Sequence, residues 1–108
     1  MHIHVYADPG HAWGKVHKDQ LTRIGLEFGD FSGYSYRRDD FIYLEEDGDL
    51  THFAKVHFDK LGAPPTYSEH HGNKSSRIRN YASNRPGPSY EKRLADWHAA
   101  RDAKKATA

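Results

Sequence analysis

Nine histidines are spread over 108 residues, and two of them, His2 and His4, stand two apart in a stretch that alternates polar with apolar. On an extended strand this spacing sets both imidazoles on one face, about 6–7 Å apart. Asp8 and His11 follow in the adjoining turn. Neutral imidazole nitrogens and a carboxylate together form a donor set for Zn²⁺ or another divalent first-row metal. His2, His4, Asp8 and His11 are therefore the candidate metal ligands, and His70 or His71 adds a donor if its strand neighbours the first. The spacing matches no zincin motif. A His-x-His pair is equally at home on a wet strand face, so the leading expectation is a protein without a cofactor.

Other chemistries find less support. There are no cysteines, which excludes a disulfide framework, a thiolate nucleophile and thiolate metal ligation. No serine sits in a nucleophile elbow, and Asp8 to Lys15 does not match a phosphate-cradling loop. The pairs Asp39-Asp40 and Glu45-Glu46 are adjacent on strands and face opposite sides, so neither makes a working acid–base couple. The run from Glu45 to Asp49 lacks the alternating ligand register of a calcium loop. It reads instead as a strand end followed by a helix cap at Asp49. His57 falls on an apolar helix face between Phe53 and Phe58, where a packed imidazole bonded to a backbone carbonyl or a tyrosine hydroxyl is expected. No catalytic constellation emerges, and a non-enzyme is expected.

The charge distribution is uneven. Residues 1–71 hold 7 Lys/Arg and 12 Asp/Glu, whereas residues 72–108 hold 9 and 3. The basic half offers a nucleic-acid candidate: Lys74, Ser75, Ser76, Arg77, Arg79 and Arg85 as phosphate donors, with Tyr81 to stack on a base. No RNP motif, helix-turn-helix or zinc finger accompanies them, and the pI of about 8.0 is modest. The arm's other destination is the acidic body itself, at Asp39, Asp40, Glu45 and Glu46.

The elements that must position these residues follow from periodicity. Residues 2–7 alternate, with Ile3 and Val5 on one side and His2, His4 and Tyr6 on the other, and Asp8-Pro9-Gly10 turns the chain into a second strand over 11–17. Asp19 is placed to cap a short helix that Gly25 ends. Residues 33–46 read as a hairpin about Asp39-Asp40. Leu50, Phe53, Ala54, His57, Phe58 and Leu61 mark one helical face, stopped by Gly62 and Pro64-Pro65. Residues 66–71 form a last strand at an edge. The expected fold is α+β: a small antiparallel sheet in a ferredoxin-like split βαβ arrangement, with a C-terminal helical extension. Residues 1–71 form the core domain. Residues 72–108 form a basic arm and a helix bearing Tyr90, Leu94, Trp97 and Arg101, a stripe narrow enough to dock weakly.

The segments Tyr-Ala-Asp-Pro-Gly-His-Ala-Trp-Gly-Lys-Val over 6–16, Tyr-Ser-Tyr-Arg-Arg over 34–38, Tyr-Leu-Glu-Glu-Asp over 43–47 and Ser-Ser-Arg-Ile-Arg-Asn-Tyr over 75–81 resemble small uncharacterised proteins encoded by bacteriophages and other mobile elements. The resemblance covers about residues 1–82. It implies a protein that binds host machinery, such as a defence nuclease, or nucleic acid, and it brings no catalytic residues.

The leading expectation is thus a binding protein that inhibits a host factor in the cytoplasm. Tyr34, Tyr36, Arg37, Arg38, Tyr43 and Trp97 are its contact residues, since aromatic and arginine side chains anchor interfaces. The alternatives are nucleic-acid binding through residues 70–93 and a histidine-based metal enzyme. No apolar run approaches a membrane span, and the edge strand offers a template for a homodimer.

Overall fold

A computed structural model of the protein describes residues 1–107, with side chains as far as Ala103. The alternation at the start of the chain produces strand β1 (His2–Ala7), in which Ile3 and Val5 are buried while His2 and His4 face outward. Asp8 turns the chain by accepting at Oδ1 from the backbone N–H of Gly10 and of His11, each at 3.0 Å. Strand β2 (Ala12–His17) then pairs antiparallel with β1.

Helix α1 (Lys18–Arg23) is capped by His17 rather than Asp19. The His17 Nδ1 accepts from the Asp19 N–H at 3.0 Å, and Gln20 Oε1 accepts from the His17 N–H at 2.9 Å. Imidazole thus replaces the usual short polar cap in a capping box. Strands β3 (Tyr36–Arg38) and β4 (Phe41–Glu45) form the expected hairpin, with Asp39 at φ +55° in its turn. Aspartate tolerates that left-handed conformation better than a branched residue does.

A wide turn over Glu46–Leu50 leads into helix α2 (Thr51–Leu61). The turn is capped by Glu45, whose carboxylate accepts from the N–H groups of Asp47 and Gly48, and α2 itself starts after Leu50 with no side-chain cap. Asp49, expected as the cap, is instead buried and accepts from the hydroxyls of Ser32 and Ser35. Gly62 ends α2 in the left-handed conformation, with φ +76°. Strand β5 (Thr66–His71) follows, then a tight turn over 77–80, a two-residue strand β6 (Ala82–Ser83) and helix α3 (Pro88–Thr107).

The six strands form one sheet in the order β5-β1-β2-β4-β3-β6. All neighbours are antiparallel except β1 and β5, which run parallel. The crossover β4–α2–β5 is a split βαβ unit, since β2 and β1 lie between its two strands. The chain is therefore α+β, with a mostly antiparallel sheet and a C-terminal helix.

The main core lies on one face: Ile3, Val5, Val16, Ile42 and Leu44 from the sheet, Leu21 and Ile24 from the α1 region, and Leu50 and Phe53 around the start of α2. Gly14 makes room for it, because a Cβ there would lie 2.7 Å from Leu50 Cδ1 and 3.3 Å from Ile3 Cγ2. The expected α2 stripe is only partly buried. Phe53 and His57 are covered, but Phe58 and Leu61 are exposed. The buried arc is centred on Phe53 and His57 with Val56 at its margin, and Phe58 falls outside it.

His57 behaves as a packed core residue. Its Nδ1 lies 2.6 Å from the Ala63 carbonyl and its Nε2 3.0 Å from the Met1 amino group. Helix α3 docks through Arg93, which donates to the Asp30 carbonyl at 2.9 Å, and through the Ser89 hydroxyl, which donates to the Asp30 carboxylate. Leu94 and Trp97 remain exposed. No helix among the described residues is long and apolar enough to cross a membrane.

Candidate functional site

Helices α1 and α2 cover one face of the sheet, and the opposite face collects the other half of every alternating strand. Register fixes the arrangement. On β1 and β5, His4 stands opposite Ser68 and Tyr6 opposite His70. On β2, Lys15 stands opposite His4 on one side and Tyr43 on the other, and Trp13 lies between Tyr6 and Glu45. Tyr36 completes the row opposite Tyr43.

This face has two parts. Toward β3 it is roofed by the turn over 77–80, whose Ile78 packs with Trp13 and Tyr43 in a second apolar cluster. Toward β5 it is open, and His2, His4 and His70 are all exposed there. The open part is a tiled surface. The Tyr6 ring stacks on His70 with centroids 4.9 Å apart and planes 17° apart. His70 in turn lies 5.2 Å from His4, and His2 meets His4 edge-on at 5.3 Å. His2 is held by two hydroxyls, Thr66 Oγ1 at Nδ1 and Ser68 Oγ at Nε2, both at 2.7 Å. A cleft of about 130 Å³ separates the open part from the roof, lined by Tyr6, Lys15, Tyr43, Arg77 and Tyr81.

The roof is fastened at Asp8. Arg79 donates from Nε to Asp8 Oδ2 at 2.7 Å and from Nη2 to Oδ1 at 2.8 Å, and the Ser76 N–H donates to Oδ2 at 2.9 Å. The Asp8 side chain is 2% exposed. The Arg79 bonds, then those from the backbone of Ser76, His11 and Gly10, hold its carboxyl far below the usual carboxylate range. The Arg79 guanidinium also stacks over Trp13 at 5.1 Å. A second bond, from Arg38 Nη1 to the Tyr81 hydroxyl at 3.1 Å, ties the far end of the roof, and Tyr81 leans on Tyr43 at 5.1 Å. Among the described residues the arm's ion pair to the body is thus made with Asp8, and not with Asp39, Asp40, Glu45 or Glu46.

Beyond the roof, His11, Trp13, Tyr34, Tyr36 and Arg79 line a cavity of about 350 Å³. The loop that carries Tyr34 is anchored from beneath by Asp49, which is 3% exposed. Asp49 accepts from the Ser32 N–H at 3.0 Å, from Ser32 Oγ at 2.7 Å and from Ser35 Oγ at 2.5 Å. Asn84 secures the same loop from the arm side. Its Nδ2 donates to the carbonyls of Phe28 and Phe31, each at 2.9 Å, while its buried Oδ1 has no partner.

The residues singled out in the sequence are distributed as follows. His2 and His4 lie on the open face, but Asp8 is engaged by Arg79 and His11 lies across at the cavity. Among the described residues, no three His, Cys, Asp or Glu converge on a point that could hold a metal ion. His70 does reach His4, because β5 neighbours β1. Of the basic-arm residues, Lys74, Ser75, Arg77 and Arg85 are exposed. Ser76 and Arg79 are structural and Tyr81 belongs to the roof.

The residues read as partner contacts do not form one surface. Tyr43 is buried, Arg37 lies over Phe28 at 5.3 Å, Tyr34 is 77% exposed, and Trp97 sits on α3 under Arg101. Alternation along β3 sends Arg37 to the opposite face from Tyr36 and Arg38. Sequence reasoning set Tyr6 on the face of His2 and His4 without singling it out, and it missed Lys15, whose signal was the alternation of Lys15 with Gly14 and Val16 along β2.

No protein-family model, curated protein or solved structure matches the chain.

Proposed function

We propose that the protein is a non-enzymatic binder of single-stranded nucleic acid, and that the strand lies across the open face of the sheet. The observation that carries this reading is the row of rings on the part of the sheet that neither α1, α2 nor the 77–80 turn covers: His2, His4, His70 and Tyr6, with Lys15 and Arg77 beside them. Bases stack on aromatic and imidazole planes without regard to sequence, while lysine and arginine at the margins neutralise phosphates. No Asp or Glu interrupts the row formed by Thr66, Ser68, His70, His2, His4, Tyr6 and Lys15. Lys74 and Arg85 are exposed on the arm, Arg85 beyond β6 at the far edge of the sheet.

The test is fluorescence anisotropy with a labelled single-stranded oligonucleotide and its duplex, over a series of salt concentrations and with EDTA present. Saturable binding that prefers the single strand is expected. Lys15→Ala and Arg77→Ala should each reduce the slope of log K against log salt by about 0.7, the contribution of one phosphate contact. Absence of binding at low salt, or a slope untouched by both substitutions, would refute the proposal.

One observation favours a second reading, a protein partner such as a host factor: Tyr34 projects, 77% exposed, at the mouth of the 350 Å³ cavity. A pull-down that survives nuclease treatment and is lost in Tyr34→Ala would support it.

A further inference from the structure

We infer that His4 and His70 form a two-imidazole clamp for a borderline divalent cation of the Zn²⁺, Ni²⁺ or Cu²⁺ class. The donor atoms, His4 Nδ1 and His70 Nε2, are 3.0 Å apart and exposed. Metal–imidazole bonds are about 2.0–2.1 Å long, so two ligands on one ion sit about 2.9 Å apart at a right angle and about 3.4 Å apart at the tetrahedral angle. The observed separation lies within that range before any side chain moves.

The two rings are held side by side, and each turns to bring its nitrogen from the shared hydrogen bond onto one ion. His4 and His70 stand on adjacent parallel strands inside the sheet, diagonal to one another in a fixed register. Tyr6 lies flat against His70 and His2 stands edge-on to His4. Binding therefore turns two rings that the sheet already holds close together, with no need to gather them from apart.

Proton accounting is simple. Without metal, one N–H bridges the two nitrogens. With metal, that proton moves to the outer nitrogen of its own ring, leaving hydrogens on His4 Nε2 and His70 Nδ1. Two neutral imidazoles then bind the cation with no net change in protons. Imidazole donors select this class over Mg²⁺ and Ca²⁺, which prefer oxygen. His2 stays with Thr66 and Ser68, and among the described residues no third His, Cys, Asp or Glu completes the set. The remaining positions on the ion fall to water or to an incoming ligand.

The inference needs no nucleic acid, so its test is separate from the one above. Protein purified without a histidine tag is titrated with ZnCl₂, and with MgCl₂ in parallel, by isothermal calorimetry. One equivalent of Zn²⁺ and no Mg²⁺ should bind. Losing either imidazole removes the advantage of holding two donors together, so His4→Gln and His70→Gln should each weaken binding by about tenfold or more. His11→Gln, a histidine outside the clamp, should bind as the parent does. Circular dichroism melts confirm that the variants fold, as the exposure of both side chains leads one to expect. Failure of the parent to take up stoichiometric Zn²⁺ would overturn the assignment. So would undiminished binding in His4→Gln and His70→Gln, or a loss confined to His11→Gln.

Discussion

Replacing Asp49 with alanine removes the acceptor for three buried donors at once: the Ser32 N–H, the Ser32 hydroxyl and the Ser35 hydroxyl. Ser35 is fully buried and Ser32 nearly so, so water cannot readily replace the carboxylate. A buried donor left unpaired costs about 1–3 kcal/mol. Two effects reduce the sum. Both hydroxyls already accept a bond, from the Tyr34 and Glu45 N–H groups respectively, and can turn to seek another acceptor. Removing a buried carboxylate also removes its own desolvation cost. We expect a net loss of about 3 kcal/mol for Asp49→Ala. For a domain of this size that lowers Tm by about 10–20 °C. Asp49→Asn keeps one acceptor oxygen but turns an amide toward donors, and should lose about 2 kcal/mol. Urea unfolding followed by far-UV circular dichroism measures both, with the m-value showing whether the unfolding reaction is unchanged. A loss below about 1 kcal/mol for Asp49→Ala would refute the view that this carboxylate holds the 31–35 loop to the start of α2.

Two further outcomes follow from the packing. The folded protein holds the Asp8 carboxyl far below its usual range through Arg79, so between the two pKa values the unfolded chain binds more protons than the folded one. The stabilisation from this site is therefore complete above the unfolded value of about 3.9 and fades as pH falls beneath it. Asp8→Asn should give a flatter fall in urea midpoint between neutral and acid pH than the parent, and parallel curves would contradict the pairing. Gly14→Ala places a methyl 2.7 Å from Leu50 Cδ1 and should cost about 1–3 kcal/mol by overpacking, read from the same urea midpoints; a neutral result would mean that Leu50 can retreat from β2.

The parts of the fold legible in the sequence are those set by neighbours along the chain. Ile3 and Val5 announced a strand, residues 33–46 a hairpin, and Gly62 a helix end, because period, turn chemistry and capping act over a few residues. What escaped was decided at a distance. Asp49 looks like a helix cap from its position before Leu50, yet Ser32 and Ser35 claim it from a loop 14 to 17 residues upstream. Strand β6 is two residues long and has no alternation to detect. The candidate site was half visible. His2 and His4 stood out by composition, with Tyr6 on their side of the strand, and His70 was placed conditionally on its strand's neighbour. Lys15 became part of the face only once β2 was seen to pair with β1. Asp8 was taken for a metal ligand because nothing local shows that an arginine 71 positions on will occupy it.

The parallel pairing of β1 with β5 also sets the order in which the molecule can assemble. The hairpins β1–β2 and β3–β4 close short loops and can form as soon as their residues are available. The outer edge of β1 must wait for residues 66–71, so the strand that carries His2 and His4 stays unpaired on that side until more than half the chain is in place. Closing so long a loop adds entropy cost only slowly with length, but it delays the contacts that reward it. The histidine surface is thus among the last features to form, and an early collapsed chain would show the β1 hairpin with a bare edge open to other strands.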